Sequence, residues 1–229
     1  MLSGDHPNIK PLIKAFKAAA DPGNAVFQKA YMRNQFEFFG IKTEIRRGIT
    51  KNYFRSINIE DHATLEKLVK ELWHLPQREY QYAAQELLEH NKKIWTEETI
   101  ELIEFCITHK SWWDTVDALN SYGSGLYFQK FPASRKAISS RWNRSSNIWL
   151  NRSSLLFQLK YKGKTDTDLL GSYIKHLSGS KEFFIQKAIG WILREYSKTD
   201  PVWVKKFIRE NQLANLSVKE GSKYLKKEA

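Results

Sequence analysis

The sequence is poor in devices that hold a fold together covalently or tie it to a membrane. It has one cysteine, Cys106, among 229 residues. One thiol cannot close a bridge within the chain or build a zinc or iron–sulfur site, and it suits a reducing compartment. No apolar run is long enough to span a bilayer. The opening Met1-Leu2-Ser3-Gly4-Asp5-His6 lacks the basic and apolar regions of a signal peptide. The expectation is a cytoplasmic chain away from membranes. The six histidines (6, 62, 74, 90, 109, 176) show no metal-ligand spacing, and no glycine-rich phosphate loop is present. No metal or cofactor is therefore expected. Acidic residues are the scarcer charge, 25 against 37 Lys+Arg, which leaves a net charge of +12. Such an excess marks a partner that is a polyanion.

What is present reads as helix almost throughout. A chain of this length fits one large domain or two small ones; we take residues 1–229 as a single domain. It can bury roughly 70% of its unfolded surface without staples. Helices are predicted over residues 11–20, over 25–39 with Gly40 as its stop, and from Thr43 onward. Others start at Asp61 or Thr64, at Pro76 and near Thr96. Later ones cover 135–143, 146–162, 165–176 and 181–197, then start at Asp200, with Ser217 to Glu220 as a capping box for the last. No alternating strand pattern with hairpin turns is found. Aromatic residues make up 14% of the chain and include eight tryptophans. Most tryptophans at helical spacing are core, and Trp73, Trp95, Trp112, Trp142, Trp149 and Trp203 are assigned to the core or to packing between repeats.

The stretch around which the rest is organised is Lys110-Ser111-Trp112-Trp113-Asp114-Thr115-Val116-Asp117. Ser111 reads as an N-cap with Asp114 three residues on. A helix from there puts Trp113 and Asp117 on one face. A carboxylate beside a flat π-surface is the wrong group to hold a polyanion and the right one to stabilise a cation formed on it. Taken alone, Trp113 and Trp191 would more often be core, Asp117 a solvated acid and Arg152 a surface charge. A degenerate repeat runs through the chain. Blocks starting at Tyr80, Trp113, Leu150 and Ile185 recur at intervals of 33, 37 and 35 residues. That period is the signature of stacked helix pairs.

Several longer runs carry a resemblance. They are Tyr31-Met32-Arg33-Asn34, Glu71-Leu72-Trp73 with Leu75-Pro76, the Trp-Trp-Asp stretch, Asn147-Ile148-Trp149-Leu150-Asn151-Arg152 with Leu156 to Lys162, and Ser180 to Tyr196. In these the chain resembles the AlkD-type DNA alkylation repair glycosylases from about Pro11 to Glu220; residues 118–145 match poorly. The resemblance implies an all-α solenoid of HEAT-like antiparallel helix pairs with a concave, basic DNA-binding face. It implies hydrolysis of the N-glycosidic bond of cationic alkylated purines, 3-methyladenine and 7-methylguanine, in duplex DNA, by a cofactor-free monomer. It places the working residues at Trp113, Asp117, Arg152 and Trp191. Asp117 would stabilise the sugar cation, the tryptophans would flank the nucleotide, and Arg152 would grip a phosphate with both arms of its fork. Ser153-Ser154 stand where members often have Ala-Ala. Tyr31, Arg47 and Arg194 are the candidate DNA-binding positions, with Arg46, Lys223, Lys226 and Lys227 as further cationic candidates whose bland reading is a solvated face. The alternative is a non-catalytic HEAT-like protein that binds unusual or damaged DNA.

Overall fold

A computed structural model describes residues 8–225; Lys226 and Lys227, named above, and the opening segment with His6 lie outside them. Among the described residues the fold is all-α. The helices are α1 (Lys10–Ala18), α2 (Pro22–Tyr31), α3 (Thr43–Ser56), α4 (His62–His74), α5 (Arg78–His90), α6 (Thr99–Thr108), α7 (Trp113–Leu119), α8 (Gly125–Lys130), α9 (Arg135–Asn143), α10 (Ile148–Leu156), α11 (Thr167–Leu177), α12 (Phe183–Tyr196), α13 (Pro201–Glu210) and α14 (Asn215–Gly221). An isolated bridge between Glu37 and Gln77 is the sole extended pairing among those residues.

Acidic and amide side chains start several of these helices by accepting a backbone N–H left without an intrahelical partner. Asp61 caps α4 through Thr64 N at 2.8 Å, Asp166 caps α11 through Leu169 N at 3.0 Å, and Asp200 caps α13 through Trp203 N at 2.8 Å. Asn147 caps α10 through Trp149 N at 2.9 Å. Asp21 caps α2 through Asn24 N at 3.0 Å, so Pro22-Gly23-Asn24 is the first turn of a helix and not the loop expected there. That helix also stops eight residues before Phe39. Arg33 and Asn34 take left-handed φ values of 53° and 56°, which end it, and an extended segment follows. Gly40 is therefore no helix stop. Its φ is +86°, and a Cβ there would stand 2.0 Å from the Asp21 carbonyl oxygen. The buried Glu79 carboxylate secures this segment by accepting from the backbone N–H groups of Phe39, Gly40 and Ile41 at 3.1, 2.9 and 3.2 Å.

The chain forms two compact units, Met1–Leu102 and Ile103–Ala229, divided within α6. In the first, α1 packs on α3, and α5 packs on both α3 and α4. In the second, α7 packs on α10, α10 on α12 and α12 on α14, with α9, α11 and α13 packed beside that row. The repeat seen in the sequence falls in register. Tyr80, Trp113, Leu150 and Ile185 stand in the first turns of α5, α7, α10 and α12. Of the six tryptophans assigned to the core or to packing between repeats, Trp73, Trp95 and Trp142 are buried, and Trp112, Trp149 and Trp203 are half-buried and pack against other aromatic rings.

Candidate active site

The site is built on the row α7–α10–α12. Lys110 turns the chain out of α6 with φ 49°, and Trp112 is fully extended, so α7 opens at Trp113. Ser111 does not cap α7 as expected; its hydroxyl donates back to the Ile107 carbonyl at 2.6 Å and closes the preceding helix. Thr115, Val116 and Leu119 face the core. Trp113 and Asp117, four residues apart, share the other face and remain half-buried.

α10 differs from its neighbours, since every residue from Leu150 to Leu156 is buried. A helix buried all round has little access to water, and most of its polar side chains find partners inside the protein. Asn151 donates through Nδ2 to the carbonyls of Trp142, Asn143 and Ser145 at 3.0, 3.0 and 2.9 Å. Ser154 accepts from Asn143 Nδ2 at 2.9 Å. Arg152 sends its guanidinium to both neighbouring helices. Nε donates to Asp117 Oδ1 at 2.8 Å and Nη2 to Oδ2 at 2.9 Å, while Nη1 donates to the Phe184 carbonyl at 2.6 Å. Its Cζ lies 5.9 Å from the ring centroid of Trp191 on α12. The Arg152 side chain is 5% exposed and that of Asp117 17%.

Arg152 has partners inside the protein: the two parallel bonds of its fork go to Asp117, so it holds and orients the carboxylate. Burial pushes the Asp117 carboxyl above the usual carboxylate range; the hydrogen bonds and charge of Arg152 pull it back, and the nearby Asp114 adds to the rise. Because Arg152 is always charged and meets both oxygens, the geometry is that of the ionised carboxylate.

The other sequence candidates stand on α12, α2 and α3. Arg194 is on α12, one turn beyond Trp191, but it pairs with Glu220 of α14. Tyr31, 70% exposed at the end of α2, and Arg47, with its side chain 71% exposed on α3, belong to the first unit. Arg46 is buried against Glu86 at 2.8 Å. Sequence reading missed the part played by Phe184, because a backbone acceptor leaves no trace in residue type. It also missed the half-open aromatic cluster that seats Phe184. Trp112 and Trp149 lie 5.3 and 5.0 Å from its ring. Among the described residues, no three His, Cys, Asp or Glu side chains come together to hold a metal ion, and no helix is long and apolar enough to cross a membrane.

The sequence model of a family described as DNA alkylation repair enzyme matches residues 12–225. The chain belongs to this family. A solved structure of a predicted DNA alkylation repair enzyme from Enterococcus faecalis is similar over 91% of this chain and 98% of that one, with 35% identity and a TM-score of 0.85. No curated protein sequence gives a match. Membership of the DNA alkylation repair enzyme family supports a role in alkylation repair, with DNA as the substrate. Within the family match lie all four residues of the α7–α10–α12 row and the three further candidates Tyr31, Arg47 and Arg194.

Proposed function

We propose that this member of the DNA alkylation repair family is a monofunctional DNA glycosylase of base excision repair. It hydrolyses the N-glycosidic bond of cationic alkylated purines, 3-methyladenine and 7-methylguanine, in duplex DNA. The observation that carries the reading is a preorganised carboxylate, Asp117, held at both oxygens by a buried guanidinium that lies 5.9 Å from the Trp191 ring, with the half-buried Trp113 one turn before Asp117 on α7.

An alkylated purine with a positive ring is already a good leaving group. As the bond from C1′ to the base nitrogen breaks, the bonding electron pair neutralises the ring and the positive charge passes to the deoxyribose, in an oxocarbenium-like transition state. Asp117 faces that charge and orients a water toward C1′; the water oxygen bonds to C1′ and its proton leaves to solvent. A fixed charge aimed at a developing one contributes on the order of 3 kcal/mol. Each indole face adds about 0.5–2 kcal/mol for a cation lying over it. Arg152 fixes the direction of the carboxylate and leaves phosphate contacts to exposed cations such as Arg47. The chain acts as a monomer without a cofactor.

The bidentate pairing also favours a second reading, in which Asp117 is a structural acid and the protein binds damaged DNA without cutting it. Release of 7-methylguanine from a methylated duplex separates the two. Release by the wild-type protein and its loss in a folded Asp117→Asn variant supports the glycosylase. Tight binding without release by either supports the binding protein.

A further inference from the structure

The first unit contains a cavity of about 630 Å³ between α1 and the turn that joins α4 to α5. Its walls are chemically divided. Ile13, Leu75 and Pro76 supply an apolar floor, and Lys10, Lys14 and Lys17 stand around it, all three exposed. No acidic residue lines it.

The lysines repel one another. They follow one another at spacings of four and three residues on one helix face, where like charges are neighbours and destabilise the helix. Lys10 also stands at the start of α1, the positive end of the helix dipole. α1 itself has no acid, and among the described residues none of the three lysines forms an ion pair. Lys17, in the last turn of α1, gains from the helix dipole, but no acidic side chain among the described residues pairs with the three lysines, and an anion from outside would.

The floor narrows the choice of anion. The backbone of a DNA duplex meets the lysines with its phosphates but keeps its bases stacked inside and leaves the apolar floor uncovered. An acidic peptide with an apolar side chain satisfies both parts, its carboxylates on the lysines and its apolar group on Ile13 and Pro76. We propose that this cavity is a docking site for an acidic protein segment bearing a large apolar residue. The site would tether the protein to a partner independently of the chemistry at Asp117.

The test uses the full chain and a fluorescein-labelled peptide of four aspartates followed by phenylalanine, read by fluorescence anisotropy. The expected result is saturable binding, weakened at least about tenfold by Lys14→Glu, by Ile13→Ser, and by replacing the peptide's phenylalanine with serine. Lys14 is exposed, so its variant keeps the fold, which circular dichroism checks. Absence of saturable binding, or equal binding of the two peptides, overturns the proposal. Loss of duplex DNA binding in Lys14→Glu without any peptide binding also overturns it and assigns the lysines to phosphates.

Discussion

Arg152 is held from two helices: Asp117 takes two of its nitrogens and the Phe184 carbonyl a third. Removing the charge of Asp117 leaves that guanidinium buried against a neutral amide. Asp117→Asn should abolish excision, and because it leaves that guanidinium without its counter-ion, thermal unfolding must accompany its assay. The raised pKa of Asp117 fixes a sign. Excision needs the ionised form, so activity falls as pH drops through a value above the ordinary aspartate figure of about 4. Asp114→Asn removes a like charge and should move that acid limb to lower pH in a pH–rate profile. A limb at or below the ordinary value contradicts the assignment. For folding the sign is opposite. A raised carboxyl pKa contributes stability below its unfolded value, and that contribution is lost as pH rises through the folded value. Ser153 is buried with no hydrogen-bond partner, whereas Ser154 bonds both Asn143 and the Asn151 carbonyl. Ser153→Ala should be neutral or stabilising by about 1 kcal/mol and Ser154→Ala destabilising by a similar amount, read from urea midpoints. At this scale the shared face of Trp113 and Asp117 was legible from their spacing alone. Arg152 was reached only through resemblance, and its pairing with Asp117 was not foreseen, because residue type does not say which carboxylate a guanidinium meets.

Among the elements, the joint between α12 and α14 carries the sharpest packing constraint. A Cβ at Gly190 would lie 2.5 Å from Glu220 Cβ and 3.0 Å from the Ser217 carbonyl oxygen. Gly190→Ala should cost about 1–3 kcal/mol by forcing the helices apart, visible as a lower urea midpoint with an unchanged slope. Glu220 bonds Lys187 at 2.9 Å and pairs with Arg194. The hydrogen bond from Lys187 leads the causes that lower its pKa, with the charges of Lys187 and Arg194 acting the same way. That pairing stabilises above the unfolded glutamate value and fades as pH falls through the folded one. Most helix starts were legible because Asp61, Asp166 and Asp200 each precede an apolar pattern and cap it. The last capping box was not one. Ser217 lies inside α14, its hydroxyl donates to the Gln186 carbonyl at 2.9 Å, and Glu220 is committed to α12. Tertiary partners there outbid a local motif. The early end of α2 was missed for a different reason: Arg33 adopts a left-handed backbone that its residue type does not announce, and Asn34 beside it, a type that favours this conformation, was the one local signal.

For the whole molecule, the repeat near 35 residues was the feature that sequence alone conveyed best, because each block must place a large apolar residue at the start of a packed helix. The net charge of +12 bears on DNA binding, whose salt dependence counts phosphates at a slope of about 0.9 each. Arg47→Ala, at an exposed cation, should flatten that slope by about one phosphate. Arg152→Ala should leave the slope nearly unchanged, since its guanidinium is spent on Asp117; a drop equal to that of Arg47→Ala would return it to the phosphate contacts. The central claim is that Asp117 stabilises a sugar cation, and single-turnover release of 7-methylguanine from methylated duplex DNA tests it most directly. Release is expected from the wild-type protein and almost none from an Asp117→Asn variant that still folds and still binds the duplex. Undiminished release by that variant would contradict it.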